Sequence, residues 1–147
     1  MIPAVDQVLR GFAGTLLTQI IPDLGEGYAS GTLSLMGMVL FMCAAEHDRA
    51  ADVRHAENGE LRALFADAAG HVADAALAQR LRAAAQTADT SLRIGDLDVV
   101  NDALKRLLID LHAHVEEQPT NDARTLERRI WTWLTLATDR RRIDLPI

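Results

Sequence analysis

From Gly27 to Ala45 the chain carries no charged residue, and the centre of that run, Leu33-Ser34-Leu35-Met36-Gly37-Met38-Val39-Leu40-Phe41-Met42-Cys43, is almost wholly apolar. It passes into Glu46-His47-Asp48-Arg49 with no turn residue between. The pattern predicts one helix, greasy at one end and ionic at the other. Apolar surface removed from water stabilises a fold by about 25 cal/mol per Å², so other helices are expected to sheathe the apolar end. The expected fold class is all-α: an up-and-down helical bundle of five or six helices around a central apolar helix, forming one domain over residues 1–147.

A chain of 147 residues can bury a core without disulfides or a structural metal. Its hydrophobic share is 49% but its aromatic share only 4%, so alanine and leucine supply the bulk and favour closely packed helices. A net charge of −6 argues against general nucleic-acid binding, which needs a basic surface to displace counterions. Cys43 is the single cysteine and lies in the greasiest stretch, so it reads as a small buried hydrophobe. The opening Met1-Ile2-Pro3-Ala4-Val5-Asp6 has no basic stretch of the secretory kind. The uncharged run is long enough for a membrane span. Three glycines, two serines and a threonine dilute it, and a buried core helix in a cytoplasmic protein is the favoured reading, with no membrane and no nucleic acid as partner.

Helix boundaries follow from periodicity and punctuation. Val5, Val8, Phe12, Leu16 and Ile20 recur at helical steps up to Pro22, expected to end the first helix. Asp23 with Glu26 reads as a capping box for the second, which starts between Leu24 and Thr32 and runs to about Glu57, where Asn58-Gly59 is a stop signal. A short third piece covers Glu60–Ala69 and ends at Gly70. Asp74 caps a fourth on Leu77, Leu81, Ala84 and Ala88, continuing to about Arg93, with Gly95 as its C-terminal cap and Asp96 and Asp98 at the positive end of the next. The fifth carries Leu97, Val100, Leu104, Leu107, Leu108, Leu111 and Val115 and stops before Pro119. Thr120 or Asn121 caps the last, built on Ala123, Leu126, Ile130, Trp133, Leu134 and Ala137, with Arg140–Arg142 at its negative end. No strand-like alternation occurs.

At about 100° per residue, Leu35, Val39, Met42, Glu46, Ala50 and Val53 share one stripe, so Glu46 interrupts an apolar seam and is expected to pair with an arginine. His47 continues a stripe through Leu33, Leu40, Ala44 and Ala51. His112 and His114 point about 200° apart and cannot chelate one ion together. His112 with Glu116, and Asp110 with His114, are four-residue pairs that read as surface hydrogen bonding. There is no Glu-x-x-His of the carboxylate-bridged di-metal bundles, no phosphate-cradling glycine loop and no Gly-x-Ser-x-Gly elbow. A mononuclear metal or small-ligand site would draw on Glu46, His47 and His114. Arg128, Arg129 and Arg140–Arg142 read as dipole compensation and solvated charge. Trp131 leaves the stripe that Trp133 occupies, so it marks either a protein contact or a seat for the tail Leu145-Pro146-Ile147.

The segments Leu92-Arg93-Ile94-Gly95-Asp96-Leu97-Asp98 and Leu16-Leu17-Thr18-Gln19-Ile20-Ile21-Pro22 resemble those of small bacterial all-helical proteins of unknown function, encoded near acyl-CoA dehydrogenases and aminoglycoside-phosphotransferase-like kinases. The resemblance implies an accessory role near acyl-CoA metabolism and transfers no functional residue. The overall expectation is a non-enzymatic interaction or accessory protein without cofactor, a homodimer with room for a further protein partner; the alternative is a metal- or small-ligand-binding bundle.

Overall fold

The computed structural model describes residues 3–143. All regular structure among them is helical: α1 (Val5–Thr15), a π-helical turn (Leu16–Ile20), α2 (Ile21–Leu24), α3 (Tyr28–Ala68), α4 (Ala75–Ala85), α5 (Ile94–Glu116) and α6 (Asn121–Arg141). The all-α bundle is therefore what the periodicity predicts. The helices divide into two compact units, one holding the described residues up to Ala50 together with Ile143, the other Ala51–Arg142. Residues of α3 belong to both.

In the second unit the C-terminal part of α3 joins α4, α5 and α6. Phe65 and Leu61 of α3, Leu81 of α4, Leu111 of α5 and Ile130 of α6 have no exposed surface, and Leu104, Leu108, Leu126 and Trp133 close around them. Each such side chain contributes about 1.5–3 kcal/mol on burial. The caps act where the sequence places them. Asp74 accepts hydrogen bonds from the backbone N–H groups of Ala76 and Leu77, and Thr120 accepts from that of Ala123.

Four boundaries differ from expectation, each for a local physical reason. Asn58-Gly59 does not stop a helix, because α3 runs unbroken from Tyr28 to Ala68. The Asn58 side chain is fully buried and hydrogen-bonds outward to other elements, so it does not compete for its own backbone. Pro22 does not end the first helix either. The π-helical turn of Leu16–Ile20 precedes it, and the chain turns away only at Gly25, whose φ of 68° suits glycine. The capping box is replaced by Ser30, whose Oγ accepts from the Gly27 N–H and donates to the Gly27 carbonyl. Finally, α4 ends at Ala85 rather than near Arg93, and Gly95 lies in the first turn of α5. The connector between them is drawn inward at Asp89, whose side chain is 1% exposed.

In the first unit the π-helical turn after α1 packs on α3 at Gly37. A Cβ added to Gly37 would lie 2.8 Å from Cγ of Leu17, so only glycine allows this approach. The buried positions are Ala13, Gly37, Ala44 and Ala50, and Leu33 and Leu40 are half-buried. Along the apolar run the covered stripe is the one through Leu33, Leu40 and Ala44, whereas the stripe through Glu46 is covered only from Ala50 onward. Leu35, Val39 and Met42, expected to form the seam, are 61%, 47% and 40% exposed. Cys43 is likewise exposed, contrary to its expected burial. The most apolar window of α3 is long enough to cross a membrane by composition, yet only 11% of it is buried. The sheath around the apolar run is thus one-sided.

The continuity of α3 has a direct test. Gly59 lies inside the helix with open space around an added Cβ, so Gly59→Ala should raise unfolding stability by about 0.5–1 kcal/mol in urea denaturation. A turn at this position would give the opposite sign. Gly37→Leu should instead destabilise by about 1–3 kcal/mol, because Leu17 blocks the space.

Candidate functional site

The second unit holds a chain of buried polar groups that no stripe of the sequence announced. Its centre is Glu57, fully buried on α3. Arg141 of α6 grips both carboxylate oxygens, Nε to Oε1 at 2.6 Å and a terminal nitrogen to Oε2 at 2.8 Å. Lys105 of α5 reaches Oε2 at 3.1 Å. Asn101, 2% exposed on α5, donates to Glu57 Oε2 at 3.1 Å and to Asn58 Oδ1 at 2.9 Å. Asn58 in turn donates to Asp89 Oδ1 at 3.1 Å and to the carbonyl oxygen of Leu97 at 3.4 Å. Asp89 takes Arg62 on Oδ1 and His55 on Oδ2, at 2.6 and 2.8 Å, and Arg62 Nε also donates to Thr87 Oγ1 at 3.0 Å. Two ion pairs are thereby joined through two asparagines.

Spacing explains why these residues converge. Ala50, Val53, Glu57, Leu61 and Leu64 lie at three- and four-residue steps, so Glu57 sits on the buried stripe of α3. Asn101 falls between Leu97, Leu104 and Leu108 on the buried stripe of α5 in the same way. Ending a helix at Asn58 cut the first stripe in half and concealed its carboxylate. A polar residue in phase with leucines on both sides was the available signal.

The electrostatics follow from the partners. Burial by itself would raise the Glu57 carboxyl, but hydrogen bonds from Arg141 and Lys105 and the charges of both overcome it and lower the pKa from 4.5 to about 2. Burial pushes Asp89 the same way, and the bonds from Arg62, His55 and Asn58 again win, holding it below the ordinary aspartate value. At the edge of this region Arg140 pairs with both oxygens of Glu60, and its pKa is raised. Further ion pairs join Arg54 to Asp98, Arg80 to Asp110 and Arg129 to Asp67. Asp98 thus serves a helix-to-helix pair as well as the positive end of α5. Every charged member of the buried chain has its counter-charge.

The residues singled out from the sequence lie elsewhere. Glu46 is half-buried and His47 exposed in the first unit, while His114 is half-buried on α5 in the second. His114 lines a small cavity with His71 and Gln118. Among the described residues the one group of His, Cys, Asp or Glu with ligand atoms close enough to share an ion consists of His112, Glu116 and Glu127, and none of the expected trio belongs to it. Trp131 is 54% exposed, with one edge against His112; the tail Leu145–Ile147 lies outside the described residues. An apolar groove of about 400 Å³ is lined by Ala84 of α4, by Ala103 and Leu107 of α5, and by Arg62.

Comparison of the chain with protein-family models, with curated proteins and with solved structures gave no match.

Removing the central carboxylate leaves a guanidinium and an ammonium without their counter-charge. Glu57→Gln should therefore cost about 3 kcal/mol in chemical denaturation. The pH dependence has a defined sign, because the folded pKa lies below the unfolded one. Stability from Glu57 is fully present above about pH 4.5 and falls as the pH drops towards about 2. Wild-type stability should decline through that window by about 3 kcal/mol more than that of the Glu57→Gln protein. Parallel pH profiles for the two would count against the assignment.

Proposed function

We propose that this chain is a non-enzymatic interaction protein that assembles as a homodimer through the apolar face of its first unit. The observation behind this reading is the stripe Leu35, Met38, Val39 and Met42 on α3, whose members are 40% to 61% exposed. They recur at three- and four-residue steps and so line one side of a helix. Of the fifteen large hydrophobic residues most exposed among those described, ten precede Ala50. These ten present on the order of 1,000 Å², comparable with the ~800 Å² that one partner contributes to an ordinary interface. Exposed apolar surface of that extent supports an interaction site in a soluble protein.

A second copy is favoured over a lipid surface by charge. Asp23 and Glu26 precede the apolar run, Glu46 and Asp48 follow it, and Arg49 is the only lysine or arginine close to either end. Bilayer-associated helices favour lysine and arginine at those places. A self-complementary contact needs only the stripe itself, since two-fold dimers place the same patch on both partners. Methionines at 36, 38 and 42 adapt their shape to a facing helix. The strongest pKa shifts in the molecule belong to groups saturated by ion-pair partners, an arrangement suited to holding helices together rather than to proton transfer.

Light scattering at micromolar concentration should give twice the 16.1 kDa chain mass. The double variant Leu35→Glu, Val39→Glu should give the single mass while the near-ultraviolet dichroism of buried Trp133 is kept. A single-mass wild type sinks the reading, and a wild type that floats with phosphatidylcholine vesicles would replace the second copy with a bilayer.

A further inference from the structure

From the geometry of one cluster on α5 and α6 we infer a divalent transition-metal site formed by His112, Glu116 and Glu127. His112 and Glu116 are one helical turn apart and project from the same face of α5. The facing helix α6 supplies Glu127, and the ligand atoms of all three lie within 4.8 Å of one another. His112 Nε2 has no solvent contact and no hydrogen bond. Its neighbour Glu116 Oε1 is 3.6 Å away, beyond hydrogen-bond length. That separation is what two ligands of one ion require, since tetrahedral ligands at about 2.0–2.2 Å stand ~3.4 Å apart. Glu127 is half-buried and has no ion pair among the described residues. Elsewhere in this unit the buried carboxylates each meet an arginine, so an unmatched half-buried one is the exception.

The chemistry selects the ion. A neutral imidazole with two carboxylates carries a charge of about −2, matched by a divalent cation. One nitrogen and two oxygens suit zinc, and also manganese or ferrous iron, in preference to copper(I) or calcium. Three protein ligands leave a coordination position for water or for a carboxylate of another molecule. Trp131, one turn beyond Glu127, sets its ring edge-on to His112, with centroids 5.5 Å apart and planes at 85°. The ring thus lies within quenching distance of an ion held by His112. The i, i+4 pair His112 and Glu116 is visible in the sequence, but Glu127 reaches it only because α6 folds back along α5. The site lies wholly in the second unit and stands or falls separately from assembly through the first.

Calorimetric titration of the full chain with zinc chloride, after dialysis against chelator and then chelator-free buffer, tests this. One zinc per chain is expected. Losing even an outer-shell partner costs metal sites 10–100-fold, so His112→Ala and Glu127→Gln should each weaken binding by at least roughly tenfold. His114→Ala, at the neighbouring histidine cavity, should leave it unchanged. Nickel or copper at the same site should quench tryptophan emission, and Trp131→Phe should remove that quenching while keeping one ion per chain. Thermal melts of each variant establish that it is folded, and the Glu127→Gln protein carries the test should His112→Ala not fold. Absence of saturable binding, binding that survives both substitutions, or binding lost on His114→Ala alone would overturn the assignment.

Discussion

A carboxylate with no exposed surface cannot sit among leucines unless positive charge and hydrogen-bond donors surround it, and Glu57 is met on that condition from two other helices. Arg141 comes from α6, and Lys105 and Asn101 from α5. The apolar core permits many small slides of one helix along another, because dispersion and hydrophobic burial have little direction. The bidentate grip of Arg141 permits far fewer, since a displacement of an ångström breaks two charge-assisted bonds at once. The register of α3, α5 and α6 is consistent with both the leucines and this one anion. The asparagines extend the constraint to the connector after α4, where Asp89 and Arg62 repeat the same chemistry.

The first unit follows a different rule. Its contact between the π-helical turn and α3 is made by absence of side chain, at Gly37 beneath Leu17, and Ala13 and Ala44 are buried as well. Small residues let backbones approach, but they cover little area, so the larger side chains of α3 are left pointing outward. Leu35, Met38, Val39 and Met42 are exposed as a direct consequence. The proposed second copy would cover the apolar area left exposed. One helix, α3, therefore carries both designs: close packing with an uncovered stripe before Ala50, and a leucine core crossed by a buried anion after it.

Much of the architecture was legible in the chain. The periodicities of α5 and α6, the caps at Asp74 and Thr120, and the all-helical class are local properties, and local steric and hydrogen-bonding rules read them correctly. The exposure of Trp131 was equally visible, since its angle from Trp133 is set by helical geometry alone. Two of the misreadings share one cause. Asn58-Gly59 and the segment after Ala85 are positions where the local preference points one way and a long-range partner another. A few tenths to about 1 kcal/mol of local preference is outweighed by a buried hydrogen-bond network worth several times that.

The sequence by itself determined which stretches are helical and how apolar each face is, because both depend on residues three and four positions apart. Tertiary structure alone decided which face of the apolar run is covered, since the stripes Leu33, Leu40, Ala44 and Leu35, Val39, Met42 are both apolar and the approach of Leu17 falls on Gly37 in the first. It alone assembled Glu57 with Arg141, 84 positions along the chain, and brought Glu127 to His112. Those pairings rest on charge and hydrogen-bond geometry between distant segments, which no local spacing encodes.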